Sequence, residues 1–251
     1  MIQEIDEFLE YPDDNLDNLI SSYMNRVPFE NIDVQNKVPI SVELGDLFDK
    51  IITRGRGGFC YEMNTLFRYY LNEKGFEAYN VSATVKSPTG WSPEGSHMST
   101  LVRADELYVA DVGFGDLPTR AMPIRPGEDA VVIDEADGKF RAIETDDGFE
   151  VQKEKDNVFD TLYKGRFTLR KTEEFYDNLD YNQHHPDSIF VKKLIITMPK
   201  EYGRASMSEN HLTLTKHGVK EKIEVNAENY TGILKDYFGL DVKIERLDSA
   251  L

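Results

Sequence analysis

The sequence predicts an α+β protein built in three packed parts, and three observations carry that prediction. Apolar residues recur at helical spacing through about the first 80 positions, at strand spacing from about 81 to 170, and in a mixed strand-and-helix order from 191 onward. With 251 residues, 40% hydrophobic and 11% aromatic, the chain can bury a core along its whole length.

The elements follow in order. Residues 15–26 place Leu16, Leu19, Ile20, Tyr23 and Met24 on one helical face, and residues 43–53 repeat the pattern with Leu44, Leu47, Phe48, Ile51 and Ile52. Gly55, Gly57 and Gly58 interrupt the chain, and a third helix starts near Cys60 and runs through Met63, Leu66, Phe67, Tyr70 and Leu71 to a stop at Gly75. Val81, Ala83 and Val85 then alternate with polar residues. Segments 97–103, 106–112, 130–134, 139–144, 149–153, 158–163 and 166–170 read as short strands joined by tight turns, the pattern of a small antiparallel sheet or barrel. Residues 172–182 read as a helix ended by His185-Pro186-Asp187. The tail reads as a strand over Lys193–Met198, strands around 205–215 and 219–225, and a helix near 226–238 stopped by Gly239.

Composition excludes several function classes. Asp and Glu outnumber Lys and Arg 46 to 29, giving a formal charge of −17. Such a surface repels phosphate backbones and anionic lipid, which argues against nucleic-acid and membrane partners while leaving room for a local basic cleft. One cysteine permits neither an intrachain disulfide nor a multi-cysteine zinc site, and no two of the five histidines have the helical spacing of a metal pair. No metal is expected. The acidic N-terminus lacks a signal-peptide pattern, and no apolar run reaches the ~18 residues of a membrane span, so the protein reads as cytoplasmic.

Arg56-Gly57-Gly58-Phe59-Cys60 sets the single thiol at the expected start of a helix. Unpaired N–H groups there carry partial positive charge and favour a thiolate, and the glycines allow close backbone approach to a substrate. The same segment also suits a buried structural cysteine whose glycines only turn the chain. It is no Walker loop, since the Gly-Lys-Ser/Thr ending is missing. A nucleophilic cysteine needs a base, and the base an orienting acceptor. His97 and Asp111 lie across an expected hairpin. If its turn centres on Ala104 they stand directly opposite, on one face with Cβ atoms roughly 5 Å apart, whereas a one-residue slip would separate them. On its own such a pair also fits an ordinary surface contact. His184 and His185 sit in an Asn-Gln-His-His-Pro loop that reads as structural or exposed, and His211 and His217 flank a strand. Asp111-Val112-Gly113-Phe114-Gly115 reads either as a loop whose backbone can approach a ligand or as a turn with a core phenylalanine.

Four segments together resemble the arylamine N-acetyltransferase family: Val27-Pro28-Phe29-Glu30-Asn31-Ile32-Asp33, Arg56-Gly57-Gly58-Phe59-Cys60, Ser96-His97-Met98 and Asp111-Val112-Gly113-Phe114-Gly115, with a weaker fifth at His185-Pro186-Asp187-Ser188-Ile189-Phe190. The resemblance covers roughly residues 5–190 well and the tail in outline. It implies a helical domain over 1–86 carrying Cys60, an antiparallel β-barrel over 87–190 carrying His97 and Asp111, and an α/β lid over 191–251, with the triad placed as in papain-like proteases. It implies transfer of acetyl from acetyl-CoA through acetyl-Cys60 to an arylamine, arylhydrazine or N-hydroxyarylamine, with His97 as base, and a part in xenobiotic metabolism. By the same resemblance Phe29, Phe114 and Val85 line the acceptor pocket, Ser96, Gly113 and Gly115 contact CoA, and Arg56 paired with Glu30 supports the site. Arg170, Lys171 and Arg204 are candidates for the CoA phosphates without a matching motif. Rival readings are a Cys-His-Asp hydrolase, a transglutaminase-type enzyme, an amide synthase on the same fold, and a binding protein that keeps only the shape.

Overall fold

In a computed structural model, which describes residues 1–88 and 90–248, the helical periodicity of the N-terminal third is realised as a bundle around one long helix. Helix α1 spans Ile2–Phe8. Helix α2, Leu16–Met24, is started by the Asn15 side chain, which accepts from the N–H groups of Asp17 (3.0 Å) and Asn18 (3.3 Å) and buries Leu19, Ile20, Tyr23 and Met24. Strand β1 is only Phe29–Glu30, followed by the one-turn helix α3, Ile32–Gln35.

Over 43–53 the expected regular helix forms only as α4, Leu44–Leu47. It then widens into a π-helical turn over Phe48–Thr53 that turns both Lys50 and Ile51 inward. Apolar spacing could not show this, because the residue that decides it is a charged one seeking buried acids. Helix α5, Cys60–Glu73, is buried on nearly every side in its first two turns. The Glu62 carboxylate reaches back to the Phe59 N–H (3.2 Å), satisfying a donor that the helix start leaves free.

The strand-spaced middle folds into β2 (Glu77–Ser87), β3 (Gly90–Trp91), β4 (His97–Arg103), β5 (Leu107–Val109), β6 (Met122–Arg125), β7 (Ile133–Glu135), β8 (Gly138–Thr145), β9 (Gly148–Lys155) and β10 (Val158–Leu169). The path β10-β9-β8-β6-β5-β4-β2 closes through a β10–β2 pairing into a seven-stranded barrel, with β3 and β7 at its margins. Phe140, Phe149, Tyr163, Val81, Leu101 and Val151 fill its core. Several expectations are corrected here. The barrel is antiparallel except for the parallel β6–β8 pair. It takes in β2 from residue 77, before the boundary expected after 86. Segments 158–163 and 166–170 are one bent strand whose register shifts twice, so an irregularity in pairing had the look of a break in the chain. The strand expected over 106–112 stops at Val109, which frees Asp111 from the ladder. Strand β6 has no alternating signal, since Pro123 sits inside it.

A four-residue 3₁₀ turn (Thr172–Phe175) and helix α6 (Tyr176–His184) follow in place of one helix, then α7 (Ile189–Lys192). Strands β11 (Ile196–Lys200), β12 (Gly203–Met207), β13 (His211–Lys216) and β14 (Val219–Glu224) form a second sheet, backed by α8 (Tyr230–Phe238) and α9 (Glu245–Asp248). Its far edge is β1, with Phe29 opposite Thr197, so a segment of the helical N-terminal third is a strand of the C-terminal sheet. Phe29 also bridges to Gly58, which draws helix bundle, loop and C-terminal sheet together at one point.

Candidate active site

Cys60 is the first residue of α5, His97 the first of β4, and Asp111 lies just past β5. The β4–β5 register pairs Leu101 with Val109 and Arg103 with Leu107, so the turn centres on Asp105 and not on Ala104. His97 and Asp111 are therefore diagonal neighbours and not directly opposite. They keep the same face because the offset is two residues, a full side-chain period.

His97 Nε2 stands 2.6 Å from Asp111 Oδ2, and the Cys60 side chain is a second hydrogen-bonding partner of the same imidazole. With Nε2 held by the carboxylate, Nδ1 is the nitrogen left for the sulfur. All three residues are buried. Burial alone would pull the imidazole pKa down, but the Asp111 charge, its hydrogen bond and Cys60 outweigh that and push it up to about 10. His97 is thus set to carry a proton beside the sulfur.

Asp111 is saturated with donors. Its Oδ2 also accepts from the Tyr163 hydroxyl (2.8 Å), and its Oδ1 from Asn64 Nδ2 (2.9 Å) and the Gly113 N–H (2.8 Å). Burial acts to raise its pKa, yet the His97 charge and these hydrogen bonds hold it below the usual carboxylate range. Tyr163 and Phe114 wall the imidazole, with ring centroids 4.9 and 5.2 Å from it. Gly113 packs flat on Cys60: an added Cβ would lie 2.7 Å from Cys60 Cα and 2.6 Å from Asn64 Nδ2.

On the other side of Cys60 the expected Arg56–Glu30 pair is part of a larger cluster. Arg56 donates to Glu30 Oε1 (2.7 and 3.0 Å) and to Asp33 Oδ1 (2.9 Å), while Lys50 Nζ reaches Asp33 Oδ2 (2.7 Å) and Glu62 Oε1 (2.6 Å). Gly57 fits beneath it only as glycine, since a Cβ there would stand 1.8 Å from the Pro28 carbonyl oxygen. Gly57 thus gives its close approach to the Pro28 backbone, and Gly58 gives room to the Glu62 side chain, where a Cβ would stand 2.7 Å from Oε2.

Phe29, Phe114 and Gly115 line a cleft of about 880 Å³ between barrel and C-terminal sheet. Five cations face four carboxylates along it, in a chain of net charge −17. Among the described residues Lys193 and Lys220 have no carboxylate partner, and with Lys155 and His211 they stand exposed in its lining. Val85 pairs with Tyr163 and packs against the barrel core, away from that lining, and the Ser96 hydroxyl is shared with Ser92 at 2.5 Å. Arg204 does line the cleft, but its guanidinium is taken by the carbonyl oxygens of Gly115 and Leu117 and by Asp137, so it clamps the 113–117 loop to β12 and is not free for a phosphate. Arg170 is paired with Glu174 at 2.7 Å and lies off the cleft.

Sequence reasoning missed Tyr163, Asn64, Lys50, Asp33 and Glu62. Of these only Asn64 left a local signal: four positions after Cys60, it shares the thiol's face of α5. Among the described residues no His, Cys, Asp and Glu group could hold a metal ion, and no helix is long and apolar enough to cross a membrane.

A family described as N-acetyltransferase matches residues 14–247. The arylamine N-acetyltransferase of Mycobacterium bovis is 30% identical over 238 residues, spanning 91% of this chain and 83% of that protein. Among solved structures, the Mycobacterium marinum arylamine N-acetyltransferase in complex with CoA superposes with a TM-score of 0.89 at 26% identity, covering 99% of this chain and 97% of that one. A Bacillus cereus arylamine N-acetyltransferase with a Cys-His-Glu catalytic triad superposes at 0.85 with 29% identity, covering 96% and 98%. The chain belongs to the arylamine N-acetyltransferase family and is an acetyltransferase.

Proposed function

We propose that Cys60, His97 and Asp111 carry the acetyl transfer, from acetyl-CoA through acetyl-Cys60 to the nitrogen of arylamines and arylhydrazines or the oxygen of N-hydroxyarylamines. The observation that carries this reading is the single imidazole held by a carboxylate at Nε2 and partnered by the only thiol of the chain. The protonated imidazole stabilises the thiolate. The thiolate attacks the thioester carbonyl, CoA leaves as a thiol with the proton from His97, and acetyl-cysteine remains. The acceptor then attacks that thioester, and His97 takes its proton as the sulfur leaves. Asp111 holds ring orientation and offsets the imidazolium charge in both halves.

The acceptor ring is assigned to Phe29 and Phe114, which border the cleft beside His97. The CoA phosphates are assigned to Lys155, Lys193 and Lys220 with His211, since exposed lysines gathered in one cleft of an acidic protein, two of them without a carboxylate partner among the described residues, favour a multiply charged anion. This replaces Arg204 and Arg170, whose charges are already used, and leaves Lys171 outside the cleft. Arg56 and Glu30 support the nucleophile loop. A cytoplasmic setting and xenobiotic amines as acceptors complete the reading.

Intact mass after mixing with acetyl-CoA tests both halves. The protein should gain one acetyl group and lose it on addition of an arylamine. Cys60→Ala should gain none and transfer none while unfolding at the same temperature as wild type. Appreciable turnover by that variant would refute the covalent route.

A further inference from the structure

Three separate chain segments must meet for this chemistry: the start of α5, the start of β4 and the loop after β5. One side chain touches all three. Asn64 lies on α5 one turn beyond Cys60 and is completely buried. Its Nδ2 donates to the Met98 carbonyl oxygen (2.7 Å), next to His97 in β4, and to Asp111 Oδ1 (2.9 Å). Its Oδ1 accepts from the Val112 N–H (3.2 Å), next to Asp111, and from Thr100 Oγ1 (3.0 Å), further along β4. Both donor hydrogens and both acceptor sites of the amide are filled. Thr100 Oγ1 also stands 3.1 Å from Asn80 Oδ1, and Asn80 in turn lies on Met98 Sδ at 3.1 Å, so the amide rests on a buried polar chain into β2.

We infer that Asn64 is the positioning residue that sets the nucleophile helix against the His97–Asp111 pair, and that Thr100 fixes the orientation of its amide. Resting on the triad reading above, the inference follows from geometry that packing alone does not require. An apolar side chain of similar size would fill the space, but it would leave Asp111 Oδ1 with one donor and the Val112 N–H with none. The carboxylate plane is held by both oxygens: Asn64 and Gly113 on Oδ1, His97 and Tyr163 on Oδ2. Loss of the Asn64 donor lets that plane turn about the Oδ2 contacts and carries the imidazole with it, away from the sulfur.

The test compares Asn64→Ala and Thr100→Val with wild type by steady-state acetyl transfer and by the pH dependence of iodoacetamide labelling at Cys60. Asn64→Ala should lower kcat on the order of 10²-fold with the KM for acetyl-CoA within about twofold, because misplacement of reacting groups acts on the chemical step. Its labelling midpoint should move up in pH, toward that of an unassisted thiol. Thr100→Val, which keeps every Asp111 contact, should show the same two changes at roughly a tenth of the size. A purely structural role would lower the unfolding temperature and leave the labelling midpoint of the folded protein where it is. If Asn64→Ala does not fold, Thr100→Val decides alone: wild-type kcat and an unmoved midpoint overturn the inference. Wild-type protein that acetylates on Cys60 while both variants react normally would remove Asn64 from its role and leave the triad standing. Wild-type protein that does not acetylate would remove both.

Discussion

Two buried charged groups flank Cys60, and they are built on opposite plans. On the barrel side, one carboxylate and one imidazole share their site with neutral donors: Asp111 accepts from Tyr163, Asn64 and the Gly113 N–H as well as from His97. On the helix side, three carboxylates share two cations, with Glu30, Asp33 and Glu62 around Arg56 and Lys50. Asp111 keeps its charge at full burial, its pKa held down, while Glu62 at the same depth is pushed up to about 7. Depth is therefore not what decides ionisation here. Asp111 has the His97 charge and its further donors to itself, whereas Glu62 has only Lys50, shared with Asp33, and faces the charges of Glu30 and Asp33. Under the proposed transfer, the first plan suits a group that offsets an imidazolium at each turnover, and the second suits a group that holds a helix start in place.

If that division of labour is right, breaking the first group should act on rate and breaking the second on stability. The largest effect is expected from Asp111→Asn. An amide in place of the carboxylate removes the charge facing His97 and permits the wrong ring tautomer, so acetyl transfer should fall on the order of 10³- to 10⁴-fold with little change in unfolding temperature. Titration of His97 followed by NMR should show its pKa drop from about 10 toward the ordinary 6.5. A rate within tenfold of wild type would end the comparison. Next comes Arg56→Met, which strands Glu30 and Asp33 without their shared guanidinium. Breaking a buried pair from one side costs about 3–5 kcal/mol, read as a lower midpoint in urea. The folded remainder should keep far more of its rate than Asp111→Asn does. An equal rate loss in folded protein would show that the two groups are not separate in function.

How much of this was legible depended on what kind of pattern each feature leaves in the chain. Helix α5 could be read because Met63, Leu66, Phe67, Tyr70 and Leu71 repeat at helical spacing and Gly57-Gly58 marks its start. The His97–Asp111 pair could be read because strand parity survives an error of two residues in register, and the hairpin turn was misplaced by one position, which shifts pairing by two. Tyr163 could not. It lies 52 positions from Asp111, in a strand whose bend looked like a gap, and no local spacing ties a tyrosine in β10 to an acid after β5. Lys50 was hidden for a different reason. It occupies a helix whose apolar stripe predicted the other face as buried, and only the widened turn at Phe48–Thr53 brings it inward to Asp33 and Glu62. The β6–β8 parallel pairing was invisible because closure of a barrel is set by contacts among seven strands and not by any one of them.

The smallest effect sharpens the comparison most directly, because it reads the proton on Glu62. Glu62 shares Lys50 with Asp33 and lies beside Glu30, so the acids around it disfavour its charged form. Burial raises its pKa first, Glu30 and Asp33 add to that, and the charge and hydrogen bond of Lys50 recover only part, leaving about 7 in the folded protein against 4.5 unfolded. Between those two values the folded state holds a proton that the unfolded state has released. Glu62 therefore contributes most stability below pH 4.5, and that contribution is lost as pH rises through about 7. The difference is on the order of 3 kcal/mol from the linkage of pKa to stability. Glu62→Gln has no proton to lose, so its stability in urea, measured from pH 4.5 to 8, should decline less than that of wild type, with the two curves converging or crossing as pH rises. His97, whose raised pKa makes its own contribution fall away as pH climbs from 6.5 through about 10, is present in both proteins and cancels in the difference. Curves that run parallel across the window would mean that Glu62 is ionised throughout, and that the two groups beside Cys60 treat their carboxylates alike.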